Sequence, residues 1–297
     1  MLKSREKFGG KWTLEKLECL HKYLKAYMTV MKKQTFKTGY IDAFAGTGYT
    51  RFREKNQPSD VLALEDMAEP EAEQFRNGSA RFALEIEPPF DSYIYIEKNL
   101  KRTQELEKLR EEFPALREHI QIHTDDANQR LSKICGPGKN WNKHRAVLFL
   151  DPFGTQVDWT TLERVAATRV IDLMLLFPLG MGVMRLLRND AQITPQNADR
   201  LTRLFGTDEW RTRFYRAAGE RNLFGEDPAT VKVATFESIT EFWLERLKTI
   251  FPCVAPKGRV LCNSCNTALY LLCFAAGNPK GGRVALRIIN SIFNKGG

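Results

Sequence analysis

The chain has 297 residues, of which 43% are hydrophobic, and its 45 Lys and Arg exceed its 36 Asp and Glu, giving a formal net charge of +9 at pH 7. This composition excludes a disordered chain and suffices for the core of one large domain, or of one domain with an insertion. The positive balance favours a polyanionic partner such as nucleic acid, with ordinary solubility as the alternative.

The sequence contains no membrane-spanning signal. No apolar stretch approaches the roughly 20 residues that cross a bilayer, and the first residues lack the apolar core of a signal peptide. We therefore expect a cytoplasmic protein without membrane contact. Its six cysteines are then expected to stay reduced.

Residues 1–35 predict an N-terminal helix. Between residues 12 and 31, apolar side chains recur at helical spacing, and Lys16, Lys22 and Lys25 lie on the opposite side. Lysines in such an arrangement usually form a solvated face. We therefore expect these three lysines to be exposed, with a binding surface as the alternative.

Residues 36–180 predict a doubly wound, Rossmann-like α/β core. Apolar runs indicate strands at 36–44, 93–97, 120–123, 146–151 and 170–177. Helical patterns fall between them, at 79–86, 98–113 and 160–167. This alternation is typical of a parallel sheet with helices on both faces. Residues 54–78 interrupt it with prolines and acids and predict an inserted loop or lid.

Residues 181–250 predict a mostly helical insertion without a clear strand, and residues 251–297 predict a hairpin and a helix that complete the core. Between positions 185 and 221 there are eight Arg and no Lys. Arginine beside aromatic residues suits phosphate and base contacts, so Trp210, Arg211, Arg213 and Arg216 are candidate nucleic-acid-binding residues. The alternative is that the aromatics pack on the sheet while the arginines pair with nearby acids.

The first predicted strand ends in a glycine loop. Asp42 and Phe44 lie at the end of the strand, and Gly46 and Gly48 lie in the loop. Glycines allow the backbone to approach a ligand closely. The dinucleotide fingerprint requires a further glycine at position 51, where this chain has Arg51, which argues against a nicotinamide or flavin cofactor. A tight turn without a ligand is the alternative.

Acids follow the next two predicted strands. Glu97 is placed to accept hydrogen bonds from ribose hydroxyls, and Asp126 from an adenine amino group, because parallel strands present their ligands at one edge of the sheet. Each acid alone is also compatible with a helix N-cap or a surface position. Together with Asp42, Gly46 and Asp151, their order resembles that of S-adenosylmethionine-dependent methyltransferases. The resemblance implies S-adenosylmethionine as the cofactor, bound by Asp42, Phe44, Gly46, Gly48, Glu97, Asp126 and Ala127.

The fourth predicted strand ends in Asp151-Pro152-Phe153-Gly154. This loop resembles the Asp-Pro-Pro-Tyr type loop of amino-methyltransferases and is similar to that of the tRNA guanine-N2 dimethyltransferases. The resemblance implies that these four residues are catalytic. In such a loop the acid and the following carbonyl accept hydrogen bonds from an exocyclic NH2 while the aromatic ring stacks on the base. A strand-ending Asp-Pro turn is the alternative.

The cysteines raise the question of zinc. Cys262 and Cys265 form one CxxC, whereas Cys273 lies in an apolar run where a small buried side chain is the simpler interpretation. The four histidines add no ligand spacing. We therefore expect no metal.

The order of motifs along most of the chain resembles the three-Cys-motif partner proteins (TcmP) of bacteria. The matching segments are Lys11-Trp12 with the first helix and residues 40–48, 78–85, 90–97, 126–128, 150–154, 173–178 and 270–281. The resemblance implies a class I methyltransferase fold and a partner protein carrying three cysteines of the radical S-adenosylmethionine type. The chain departs from the family pattern in its long acidic insertion and its C-terminal cysteines.

The leading functional hypothesis is therefore a methyltransferase acting on an amino group of a nucleic acid base. One alternative keeps the fold and cofactor but modifies a protein or small molecule. Another is a catalytically inactive, methyltransferase-fold subunit that binds the three-Cys protein. The complete carboxylate series favours an enzyme, since a docking subunit has no physical need for it.

Overall fold

A computed structural model of the chain describes residues 11–47, 78–217 and 230–294. The interpretations that concern Gly48, Arg51 and residues 54–77 lie outside these ranges. Within the ranges, no helix combines the length and apolar character needed to cross a bilayer.

The described residues form ten strands, eight of them in one sheet. The strands are β1 (Lys37–Asp42), β2 (Ser92–Glu97), β3 (Ile120–Thr124), β4 (His144–Leu150), β5 (Ile171–Phe177), β6 (Tyr215–Ala217), β7 (Thr230–Lys232), β8 (Cys253–Val254), β9 (Arg259–Cys262) and β10 (Ala268–Ala276). The order in the main sheet is β3-β2-β1-β4-β5-β10-β8, with β9 also paired to β10. β1 to β5 are parallel, and β10 runs antiparallel to β5. The first five strands thus have the order of doubly wound folds.

Helices connect the strands. They are α1 (Lys11–Met31), α2 (Ser79–Leu84), α3 (Leu100–Leu106), α4 (Lys108–Glu112), α5 (Ala127–Ile134), α6 (Trp159–Ala167), α7 (Pro195–Phe205), α8 (Trp210–Phe214), α9 (Phe236–Ile250) and α10 (Gly282–Asn294). The single helix predicted over 98–113 is two helices, α3 and α4. The helix α3 starts after Asn99 because the Asn99 side chain accepts hydrogen bonds from backbone N–H groups in the first turn of the helix.

Both faces of the sheet are buried. Alternate strand residues such as Ile41, Leu148 and Phe177 pack under α5 to α9, whereas Tyr40 and Phe149 pack under α1, α2 and α10. A sheet covered on both faces requires the near-continuous apolar strands that the sequence contains. The predicted α/β class with a doubly wound, Rossmann-like sheet is therefore confirmed.

The described part of the insertion at 181–250 contains the helices α7 to α9, the end of a π-helical segment (Leu179–Met184) and one antiparallel pair of short strands. The expectation of no strand there was wrong, because β6 and β7 pair antiparallel. Each has three residues, too few to produce a visible period-two pattern. The helices contribute Phe205, Phe214 and Trp243 to the same apolar cluster as the sheet.

A buried acid lies at the amino end of β5, far along the strand from the candidate site. Asp172 accepts a hydrogen bond from Tyr23 Oη at 2.7 Å. Burial raises the pKa of Asp172 to about 7, although the Tyr23 hydrogen bond and the Arg145 charge oppose the shift. The folded state therefore binds this proton more tightly than the unfolded state does.

Because the folded-state pKa of Asp172 is raised, its favourable contribution is largest below the unfolded-state value of 3.8 and is lost as pH rises to about 7. We expect Asp172→Asn to flatten the pH dependence of the unfolding free energy, removing on the order of 2 kcal/mol of the fall between pH 5.5 and 8. Urea unfolding at several pH values measures this. An Asn variant with the same pH slope as the parent contradicts the assignment.

Candidate active site

The strand register brings the predicted acids to one edge of the sheet. Asp42, the last residue of β1, pairs with Tyr95 on β2 and with Phe149 on β4. Glu97 and Asp151 each lie two residues beyond those partners. The acids therefore flank the loop after β1 from both sides, at the carboxyl ends of the parallel strands.

Asp42 is fully buried and its oxygens are occupied. One accepts from Phe44 N at 3.3 Å, and the other from Ser79 Oγ at 2.5 Å and Tyr40 Oη at 3.3 Å. Burial raises the pKa of Asp42 to about 7, opposed by the Ser79 hydrogen bond and increased further by the charge of Asp151. Asp42 therefore holds the start of the glycine loop through the backbone N–H of Phe44. Its predicted contact with a cofactor stays a prediction.

Gly46 and Glu97 are joined directly. Gly46 has a φ of +61°, and a Cβ built there meets nothing within 4 Å among the described residues, so the residue is glycine for its backbone conformation. Its N–H donates to Glu97 Oε2 at 3.1 Å, while Glu97 Oε1 accepts from Asn99 N at 2.8 Å. A carboxylate has about four lone-pair positions. Glu97 thus retains capacity for a ribose at the open side of the loop.

Asp126 is the N-cap of α5, one of the alternatives left open by the sequence. Its Oδ1 accepts from the backbone N–H groups of Asn128 and Gln129. Its Oδ2 lies 3.7 Å from Nζ of Lys98, an exposed side chain. Ala127 follows as the buried first residue of α5. The adenine contact of Asp126 therefore depends on Oδ2 and remains a prediction.

The loop after β4 holds an aromatic ring toward solvent. Pro152 is buried, Phe153 is 51% exposed and Gly154 has a φ of +68°. Phe153 N donates to Gln156 Oε1 at 3.0 Å, and the Gln156 carbonyl accepts from Asn128 Nδ2 at 2.8 Å. These bonds fix the loop against α5 and leave the Phe153 ring available for stacking.

Lys16 is a site residue that sequence reasoning missed. Its Nζ lies 2.5 Å from Asp151 Oδ2, and the residue is only 6% exposed. The expected exposure was thus wrong for Lys16, although Lys22 and Lys25 are exposed. The available signal was Trp12, four residues earlier on the same helical face.

Two aromatic rings adjoin this ion pair. Lys16 Nζ lies 5.2 Å from the Trp12 ring centroid, a cation–π distance, and the Trp12 and Tyr270 centroids are 5.1 Å apart. Burial raises the pKa of Tyr270 to about 12, with the charge of Asp151 adding to the effect. Residues from α1 and β10 therefore border Asp151 on the side away from Gly46 and Glu97.

Trp210 has a different role from the one predicted. It is fully buried among the core aromatics, and its Nε1 donates to Thr202 Oγ1 at 3.0 Å. A ring in that position is not available to stack on a base. The structure therefore gives Trp210 a packing role, because alternating Arg and aromatic residues also arise where a helix covers a core.

The three predicted arginines are exposed. Arg211 lies 3.7 Å from Asp208, and Arg213 donates to Glu245 at 2.9 Å. Pairing with surface acids is the alternative that the sequence left open, and such exposed pairs contribute little energy. Arg216 lies on β6. Nucleic acid contact by these arginines stays a prediction.

The cysteines occupy two settings. Cys262 ends β9 half-buried, and Cys265 is exposed in the turn before β10. Cys273 is buried in β10, where burial raises the pKa of its thiol. No group of three His, Cys, Asp or Glu suited to a metal ion occurs within the described ranges.

The strand order defines a Rossmann-like α/β protein with acidic side chains at the carboxyl edge of its parallel strands. No family model matches the chain, and no curated protein matches it. The resemblance to the three-Cys-motif partner proteins therefore stays a prediction.

Several solved structures are similar to the chain, each with a TM-score below 0.5. Trm1 from Pyrococcus horikoshii, solved with S-adenosyl-L-methionine, has a TM-score of 0.44 and 13% identity over 96% of this chain and 61% of that one. A Legionella pneumophila protein has a TM-score of 0.41 and 16% identity, over 82% of this chain and 93% of that one. The structure of StiE O-MT residues 961–1257 has a TM-score of 0.32 and 9% identity, over 91% of this chain and 79% of that one. At these levels the similarities carry no argument about the reaction.

Proposed function

We propose that this protein is an S-adenosylmethionine-dependent methyltransferase that modifies an exocyclic amino group of a nucleic acid base. The observation that carries the proposal is the position of Asp151 and the exposed ring of Phe153 beside the linked Gly46 and Glu97. An acid with an adjoining aromatic ring suits an amine acceptor. A glycine loop held by a carboxylate suits an adenosyl donor.

The donor half fits the cofactor's chemistry. No described atom lies within 4 Å of a Cβ built at Gly46, which suits a ligand close to the backbone, and the remaining lone pairs of Glu97 suit two ribose hydroxyls. Asp126 Oδ2 is available for an adenine amino group if the exposed Lys98 moves away. When bound, S-adenosylmethionine supplies an electrophilic methyl group on a sulfonium.

The acceptor half addresses the weak nucleophilicity of an aromatic amine, whose lone pair is delocalised into the ring. Asp151 and the Pro152 carbonyl accept its two N–H bonds and raise electron density on nitrogen, while Phe153 stacks on the base. The nitrogen–carbon bond forms as the carbon–sulfur bond breaks. The nitrogen then loses one proton, for which Asp151 is the adjacent base.

The charges near Asp151 favour a base over a protein lysine as acceptor. A lysine substrate arrives as an ammonium and would enter beside the cation of Lys16, whereas an exocyclic base amine is neutral. The net charge of +9 also favours a polyanionic substrate.

Incubation with radiolabelled S-adenosylmethionine and separate total nucleic acid and protein fractions tests the proposal. We expect label in the nucleic acid fraction, with the Asp151→Ala variant as the blank. Label in protein alone contradicts the base substrate. If no fraction takes up label, whether or not the cofactor binds, the result favours the inactive binding subunit.

From the resemblance alone, we also propose a three-Cys-motif partner of the radical S-adenosylmethionine type. Co-expression of the two proteins and affinity purification through this chain test the association. Recovery of the chain without the partner contradicts it.

A further inference from the structure

The ion pair between Lys16 and Asp151 joins the N-terminal helix to the candidate catalytic loop. Removing an ammonium from water is costly unless an opposite charge compensates for it. The Lys16 side chain is 8% exposed and that of Asp151 is 26% exposed, so the pair is shielded mainly on the lysine side. Asp151 therefore keeps an open side while Lys16 holds one of its oxygens.

Unpartnered polar atoms lie on the same turn of α1. Trp12 Nε1 and Thr13 Oγ1 are buried without a hydrogen-bond partner among the described residues. Buried polar groups without partners are uncommon in folded proteins. Both side chains lie within four residues of Lys16 on α1 and are buried, so this turn of the helix is packed around the ion pair.

We propose that Lys16 is a positioning residue for methyl transfer, an inference that depends on the proposed function. By binding Asp151 Oδ2, it fixes the carboxylate rotamer so that Oδ1 faces the acceptor amine. The Trp12 ring, 5.2 Å from Nζ, holds the lysine itself in place. Lys16 touches neither reactant and acts through Asp151.

A purely structural ion pair would look similar, and α1 contains a suitable control. Glu15 forms an ion pair with Arg259 on β9. The Glu15 side chain is 24% exposed and the Arg259 side chain is 12% exposed. This pair also ties α1 to the sheet, but it does not involve Asp151. Loss of either pair is expected to lower the melting temperature, whereas only loss of the Lys16 pair should impair transfer.

The experiment compares Lys16→Met, Lys16→Arg and Glu15→Gln in the full chain. We expect Lys16→Met to lower kcat by roughly 10- to 100-fold, with KM for nucleic acid and the Kd for S-adenosylmethionine within about threefold. Lys16→Arg should recover most of the loss because it restores a cation. Glu15→Gln should keep the parent kcat while lowering the melting temperature.

Two results overturn this inference. One is a folded Lys16→Met variant with the parent kcat. The other is a kcat loss in Glu15→Gln as large as that in Lys16→Met, which would assign the effect to helix attachment. An inactive parent chain would instead overturn the proposed function, so the two failures are distinguishable.

Discussion

Replacing Asp151 with alanine is expected to lower methyl transfer by roughly 10²- to 10³-fold while leaving the Kd for S-adenosylmethionine within about threefold. The reason is that Asp151 lies on the proposed acceptor side, after β4, whereas Gly46 and Glu97 form the proposed donor side. Transfer of label to nucleic acid measures the first quantity, and calorimetry measures the second.

Stability needs separate control in this experiment. Asp151→Ala leaves the buried Lys16 ammonium without its partner, which typically costs about 3–5 kcal/mol. The double variant Asp151→Ala with Lys16→Met removes both charges and should recover much of that loss without recovering transfer. Asp158→Asn, at a position with no side-chain cap hydrogen bond, provides a matched control on the same segment. Parent-level turnover in the double variant would exclude Asp151 from catalysis.

Replacing Glu97 with alanine is expected to weaken S-adenosylmethionine binding by about 10- to 100-fold. The change removes the acceptor for ribose hydroxyls and also releases the Gly46 N–H, which Glu97 holds at 3.1 Å. Calorimetric titration with the cofactor measures the loss. At saturating cofactor, transfer should return to within a few-fold of the parent because Asp151 is untouched.

Glu107→Gln is the matched control, since Glu107 is a surface acid that pairs with Arg110 on its own helical segment. It should leave cofactor affinity unchanged. An unaltered Kd in a folded Glu97→Ala variant would remove Glu97 from the cofactor site. A common loss in both variants would indicate a nonspecific charge effect.

Much of the fold was predictable because strand ends carry strong local signals. The predicted strands at 93–97, 120–123 and 170–177 match β2, β3 and β5 to within one residue at each end. Apolar runs closed by an acid or a proline define such ends without tertiary information. The two-residue β8 and the three-residue β6 and β7 offer no comparable pattern, so sequence reasoning did not find them.

The site was predictable only where its residues follow strands. Glu97 and Asp151 were placed by the rule that parallel strands end at one edge of the sheet. Lys16 was missed because helical periodicity assigns a polar residue to the outer face, and its partner lies 135 positions away. Trp210 could not be assigned from sequence because the same Arg-aromatic pattern describes both a binding surface and the edge of a core.

The direction of β10 has an evolutionary consequence. Because β10 is antiparallel to β5 and Leu271 pairs with Phe177, the neighbouring Tyr270 lies at the edge where the parallel strands end. The proposed acceptor side thus comes from α1, β4 and this late hairpin, and the proposed donor side from β1 to β3. Under the proposed function, mutations in the hairpin or in α1 can therefore redirect target choice in descendant proteins without altering the residues proposed to hold the methyl donor.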